Sequence, residues 1–109
     1  MNAVHPAFAG ILATITMAPA MIARASQDAE RHDADLSAHA AMRDCSPRIK
    51  HAADLIRGEQ LFEADLQVLA RAMQQALERN NMHLPLMRDA VNLLRDLQDE
   101  CAAAIREAA

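Results

Sequence analysis

The first 23 residues of this 109-residue chain contain no Lys, Arg, Asp or Glu. Within them Phe8, Ile11, Leu12, Ile15 and Ile22 recur at helical spacing. Pro6 suits the first turn of such a helix, where a missing N–H leaves no carbonyl without its donor. A helix with one apolar stripe covers one core. This one carries no charge on any side for about six turns at 3.6 residues per turn. It is therefore expected either at the centre of a bundle or covered by a second chain.

The same segment raises two other readings. As a signal peptide it has small-residue cleavage sites but lacks the positively charged start that such peptides use. As a membrane span it is long enough, but Ala, Thr, Gly and two Pro dilute its few large apolar residues. A buried helix of a cytoplasmic protein is the preferred expectation, and a membrane-attached protein with an apolar N-terminal segment is the alternative.

Composition points to helices throughout. Alanine, the best helix former and a side chain small enough for close helix–helix approach, fills about a quarter of the chain. Trp and Tyr are absent, Phe8 and Phe62 are the only aromatics, and Gly occurs only at positions 10 and 58. No run alternates in the manner of a strand. A chain this long buries roughly 60–70% of its unfolded surface and folds as one domain without staples. The expected fold is all-α: a small bundle of three to five helices, with antiparallel neighbours joined by short loops.

Local signals divide residues 1–109 into approximate helices 6–18, 19–43, 47–57, 59–80 and 85–107. Pro19 predicts a kink or break near Ala18. Asp44-Cys45-Ser46-Pro47 reads as the clearest boundary, with Ser46 as N-cap and Pro47 in the first helical position. The next stripe runs through Ile49, Ala52, Ala53 and Ile56, then Leu61, Phe62, Leu66, Leu69, Ala70, Met73 and Leu77, with positions 49, 52, 56 and then 63, 66, 70, 73, 77 at alternating threes and fours. Its phase is kept across Gly58, so one long helix or two helices meeting at a small angle are both open. Asn80-Asn81 ends that helix. The last begins at Leu84-Pro85 and carries a wide stripe from Leu86 to Ile105.

Charge excludes some activities. With 11 Lys and Arg against 15 Asp and Glu, the net charge is −4. There is no basic run to neutralise phosphates and no aromatic platform for stacking bases, so nucleic acid is not an expected partner. Catalytic signatures are missing as well. No GxSxG surrounds a serine, and two glycines do not make a phosphate-binding loop. Cys45 and Cys101 lack CxxC spacing and read as free thiols. Cys101 falls on an apolar stripe, whereas Cys45 is expected in the loop before Ser46, exposed and without an activating partner. The chain reads as a non-enzyme without cofactor.

One polar constellation stands out. Asp28, His32, Asp35 and His39, spaced four, three and four, share a helix face. Carboxylate and imidazole are both metal ligands, and His51, Asp54, Glu63 or His83 could supply a further one. Against a metal stand the missing HExxH and ExxH pairs, and the nearby Ala25, Ala29 and Leu36, which place the histidines beside an apolar seam. Two histidines titrating near neutrality also suit a pH-sensitive interface.

The leading expectation is a helical protein–protein interaction module, self-associating as a homodimer through Phe8, Ile11, Leu12, Ile15, Met17, Met21 and Ile22. An Arg-rich, Ala-rich accessory protein of a bacterium or phage, acting as inhibitor or adaptor, fits the composition. The alternative is a metal- or ligand-binding bundle built on the Asp28/His32/Asp35/His39 face.

Overall fold

A computed structural model describes residues 8, 10–32, 40–58, 60–79 and 84–108. Four helices carry almost all of them: α1 Leu12–His32, α2 Ala40–Arg57, α3 Glu63–Glu78 and α4 Pro85–Ala108. No strand occurs among the described residues. Each helix packs on its neighbour in chain order, and α4 closes the ring against α1. The body is elongated, 47 × 22 × 19 Å. The antiparallel run of neighbours is visible in single contacts. Arg57, at the end of α2, reaches Thr16 near the start of α1, and Gln98 in mid-α4 reaches Gln74 in α3.

Each helix buries one stripe. From α1 it is Ile15, Ala18, Ile22, Ala25 and Ala29; from α2, Met42, Cys45, Ile49, Ala52 and Ile56. Leu66, Leu69 and Met73 of α3 meet Met87, Leu94 and Leu97 of α4 in the same core. The large side chains gain about 1.5–3 kcal/mol each on full burial. The alanines set how closely α1 and α2 approach.

Sequence punctuation misled at two prolines. Both Pro19 and Pro47 lie inside helices. The expected break near Ala18 is absent, because α1 is buried on both sides of Pro19, at Ile15 and Ala18 before it and Ile22 after it. The expected boundary at Asp44–Pro47 is absent as well. An interior proline costs about 3 kcal/mol, and burial of Met42 and Cys45 upstream, with Ile49 downstream, offsets that. Pro47 itself is exposed, so the Arg43 carbonyl it cannot serve is placed within reach of water.

At Gly58 the chain does break. The Gln60 N–H donates to the Leu55 carbonyl at 2.8 Å, the wide-turn bond that closes a helix C-terminus. The next helix starts at Glu63, four residues later than position 59. Its N-terminus is fixed by Asp65, whose carboxylate accepts the Phe62 N–H at 2.8 Å. On α3 Leu66, Leu69, Met73 and Ala76 are buried, Ala70 and Leu77 are half-buried, and Glu63 is exposed. The start at Pro85 is as expected, with the Arg88 N–H on the Leu84 carbonyl at 3.0 Å. Residues 6, 7 and 33–39, which carry parts of the first two expected helices, lie outside the described residues, as does Asn80-Asn81.

Candidate functional site

Alanine explains how the first three turns of α1, to Ala23, lie on the perimeter of the ring without a charge. Its outward side from position 13 to 23 shows Ala13, Thr16, Ala20 and Ala23, whose methyls and hydroxyl expose little apolar area apiece, around the larger Met17. The expectation that this helix is central is therefore corrected: within the chain its outward side is exposed. The residues expected at an interface divide accordingly. Phe8, Ile11, Ile15 and Ile22 are buried in the chain's own core, and Leu12 and Met21 pack partly against it. Met17 alone of the seven points out, 55% exposed.

Between α1 and α2 the small side chains leave a groove of about 520 Å³, with Pro19, Ala20 and Ala23 on one wall and Ala53 on the other. One end is polar. The Arg57 guanidinium donates to Asp54 Oδ1 at 3.3 Å and to Thr16 Oγ1 at 3.0 Å. The Thr16 hydroxyl in turn donates to the Leu12 carbonyl at 2.6 Å. Asp54 and Arg57 are both well exposed, so their pairing orients the side chains and adds little stability.

A second depression runs between α2 and α3. A cavity of about 240 Å³ is floored by Ala52, Leu55, Val68 and Leu69. A cavity of about 460 Å³ is lined by Arg43, Asp44 and Cys45 on α2 and by Ala72 and Gln75 on α3. Pro47 and Arg48 line both, so the two cavities adjoin along the helix pair. Val68 there is 42% exposed, and Phe62, 57% exposed, immediately precedes α3. Sequence reasoning missed both depressions. Their only signal was the small residues Ala52 and Ala53, which the stripe pattern counted as ordinary core.

The expected exposed loop thiol is also corrected. Cys45 lies in mid-α2, buried, and its thiol donates to the Met42 carbonyl at 3.1 Å. Cys101 is buried too, and both thiols are free. Burial pushes Cys45 up to about 11 and Cys101 up to about 12. The nearby Asp44 and Glu100 charges add smaller pushes in the same direction. Thiols so poised are protonated at neutral pH and are poor nucleophiles.

Of the polar constellation, Asp28 and His32 are described, and Asp35 and His39 lie outside the described residues, as does His83. His32 Nδ1 sits 2.8 Å from the Asp28 carbonyl oxygen and 3.3 Å from its carboxylate, so its N–H is engaged within one turn of α1. Among the described residues no group of three or more His, Cys, Asp and Glu side chains is placed to hold a metal ion. Nor, among them, is any helix long and apolar enough to cross a membrane.

No family model, no curated protein and no solved structure matches the chain.

Proposed function

We propose that this chain is a non-catalytic helical module that works by binding another protein, a second copy of itself being the simplest partner. The observation that carries this reading is the outward face of α1. Over Ala13–Ala23 it presents no charge, and its one large side chain, Met17, stands exposed between small neighbours. Small residues around a flexible thioether let a facing helix approach closely and adapt to it. In a symmetric pair the same face would meet itself, Met17 against Ala13 and Ala20 of the other copy.

The face is short. Ten residue steps span about 15 Å, which by itself makes a small contact below the roughly 1,200 Å² of a stable interface. The expected self-association is therefore weak, in a transient rather than an obligate class. The buried thiols support a binding role over a catalytic one, since neither offers a nucleophile at neutral pH.

Sedimentation equilibrium of the full chain from 5 to 500 µM tests the reading. A concentration-dependent rise in mass, abolished by Met17→Glu at unchanged melting temperature, is the expected result. A monomer mass across the whole range removes the self-association.

A further inference from the structure

We infer that Met17 is an oxidation-controlled switch on the outward face of α1: a hydroperoxide converts its thioether to the sulfoxide in the folded chain, and the oxidised face no longer binds a second copy. The inference rests on the proposed self-association and names its regulation.

Exposure gives the first argument. The chain has seven Met and two Cys, the side chains that oxidants modify. Met42, Met73 and Met87 are fully buried, and Met21 is half-buried. Met17 is 55% exposed, so among the described residues it is the methionine that a dissolved oxidant reaches. A thiol is ordinarily the competing target, through its thiolate. Here that competition is suppressed, because Cys45 and Cys101 are both buried and burial keeps both protonated at neutral pH. Met1 and Met82 lie outside the described residues.

The step needs only the peroxide. The Met17 sulfur gives an electron pair to the terminal peroxide oxygen, an S–O bond forms and the O–O bond breaks. The proton on the attacked oxygen passes to the leaving oxygen, which departs as water or an alcohol. The sulfur is oxidised and the peroxide is reduced.

Location gives the second argument. Met17 stands within the uncharged stretch Ala13–Ala23, between the exposed Ala13 and Ala20. Oxidation replaces a flexible apolar group with a polar, chiral one. In the free chain water hydrogen-bonds the new oxygen. Against a second copy it would face Ala13 and Ala20, which carry no side-chain donor. Thr16 beside it donates its hydroxyl to the Leu12 carbonyl at 2.6 Å. A covered sulfoxide oxygen is left without a partner, which disfavours pairing. The fold is preserved, because Met17 lies outside the buried cluster to which Met42, Met73 and Met87 belong.

The test treats the full chain with hydrogen peroxide at pH 7. Oxidation is mapped by peptide mass spectrometry, and mass is followed by sedimentation equilibrium before and after. Met17 should oxidise about tenfold or more faster than Met42, Met73 and Met87, with the circular dichroism melting curve unchanged. The dissociation constant of the pair should rise about tenfold or more and recover with a methionine sulfoxide reductase. Met17→Leu keeps an apolar side chain without the sulfur, so it should pair and ignore peroxide, which separates Met17 from oxidation elsewhere. Met17→Gln should resemble the oxidised chain without any oxidant. Met17 oxidising no faster than the buried methionines overturns the proposal. A Met17→Leu chain that still loses pairing with peroxide overturns it as well. A reduced chain that is already monomeric removes the self-association and the switch with it. A reduced chain that pairs, with an oxidised form that pairs equally well, removes the switch alone.

Discussion

Thr14 and Glu100, 86 residues apart in sequence, are joined by a hydrogen bond of 3.0 Å from the Thr14 hydroxyl to Glu100 Oε1. The bond clamps the start of α1 to the far part of α4, where the ring of helices closes. Thr14 is half-buried, and the other carboxylate oxygen, Oε2, is buried without a hydrogen-bond partner among the described residues. Thr14→Val keeps the shape and removes the donor, leaving Glu100 with no direct partner. A loss of about 1–3 kcal/mol is expected, read as a fall in Tm of roughly 4–8 °C per kcal/mol for a domain near this size. In the Glu100→Gln background the same substitution should cost clearly less, because no charge is left stranded. Equal costs in both backgrounds would show that the two side chains do not act on each other.

Ser26 presents the opposite case. Its hydroxyl is buried on the inner side of α1, beside Ala25 and Ala29, and finds no hydrogen-bond partner among the described residues. Removing a buried polar group that makes no bond relieves its desolvation cost. Alanine also has the higher helix propensity. Ser26→Ala is expected to stabilise the fold by about 1 kcal/mol, measured by urea unfolding with an unchanged m-value. A destabilised variant would mean that the hydroxyl has a partner.

Both buried thiols make stability depend on alkaline pH. Their folded values stand at about 11 for Cys45 and about 12 for Cys101, against 9.0 for the free side chain. Between pH 9 and these values the unfolded chain loses its thiol protons first, so it binds fewer protons than the native state and stability falls as pH rises. The stabilisation is complete below pH 9 and is lost upward through pH 11–12. Each thiol contributes a slope of up to about 1.4 kcal/mol per pH unit within its own window. Urea unfolding from pH 7 to 10.5 should show the decline, and Cys45→Ala with Cys101→Ala should flatten it from a lower starting stability. A thiol reagent at pH 8 should leave both cysteines unmodified in the native protein and label both in denaturant. Rapid labelling of Cys45 in the native state would place it outside the core.

The helical class was legible because it depends on sums over many residues: abundant alanine, few glycines and stripes at periods of three and four. Helix ends, by contrast, were read from single residues, and packing overrode several of them. Ser46-Pro47 has the chemistry of a helix start, yet Met42 and Cys45 on one side and Ile49 on the other share a buried stripe that carries α2 straight through. On α3 the stripe through Leu66, Leu69 and Met73 was legible, whereas the pattern left open whether one helix or two cross Gly58, where the chain in fact turns. The outward side of α1 was misjudged for a related reason. An uncharged helix was taken to need cover on every side, but alanine and threonine tolerate water well enough to form an outer face, and the large residues Phe8, Ile11, Ile15 and Ile22 all turn inward. Neither groove was legible, since a groove is set by the distance between two helices, and sequence periodicity describes only one helix at a time.

Pro47 allows the two readings of residues 44–47 to be separated by one substitution. If this were a helix start, Pro47→Ala would lose a favourable N-terminal proline and weaken the fold. In the structure Pro47 is an exposed interior position, and alanine there adds an N–H within reach of the Arg43 carbonyl, while losing no buried contact. The helix-propensity gain is as much as about 3 kcal/mol. Against it stands about 0.4–1 kcal/mol from the greater freedom of the unfolded chain once proline is gone. A net stabilisation of roughly 1–2 kcal/mol follows, with Tm raised accordingly. Amide exchange adds a local readout: residue 47 in the variant should exchange slowly, as a hydrogen-bonded helix interior does. A destabilised variant with a rapidly exchanging amide at 47 would restore the boundary and divide α2 in two.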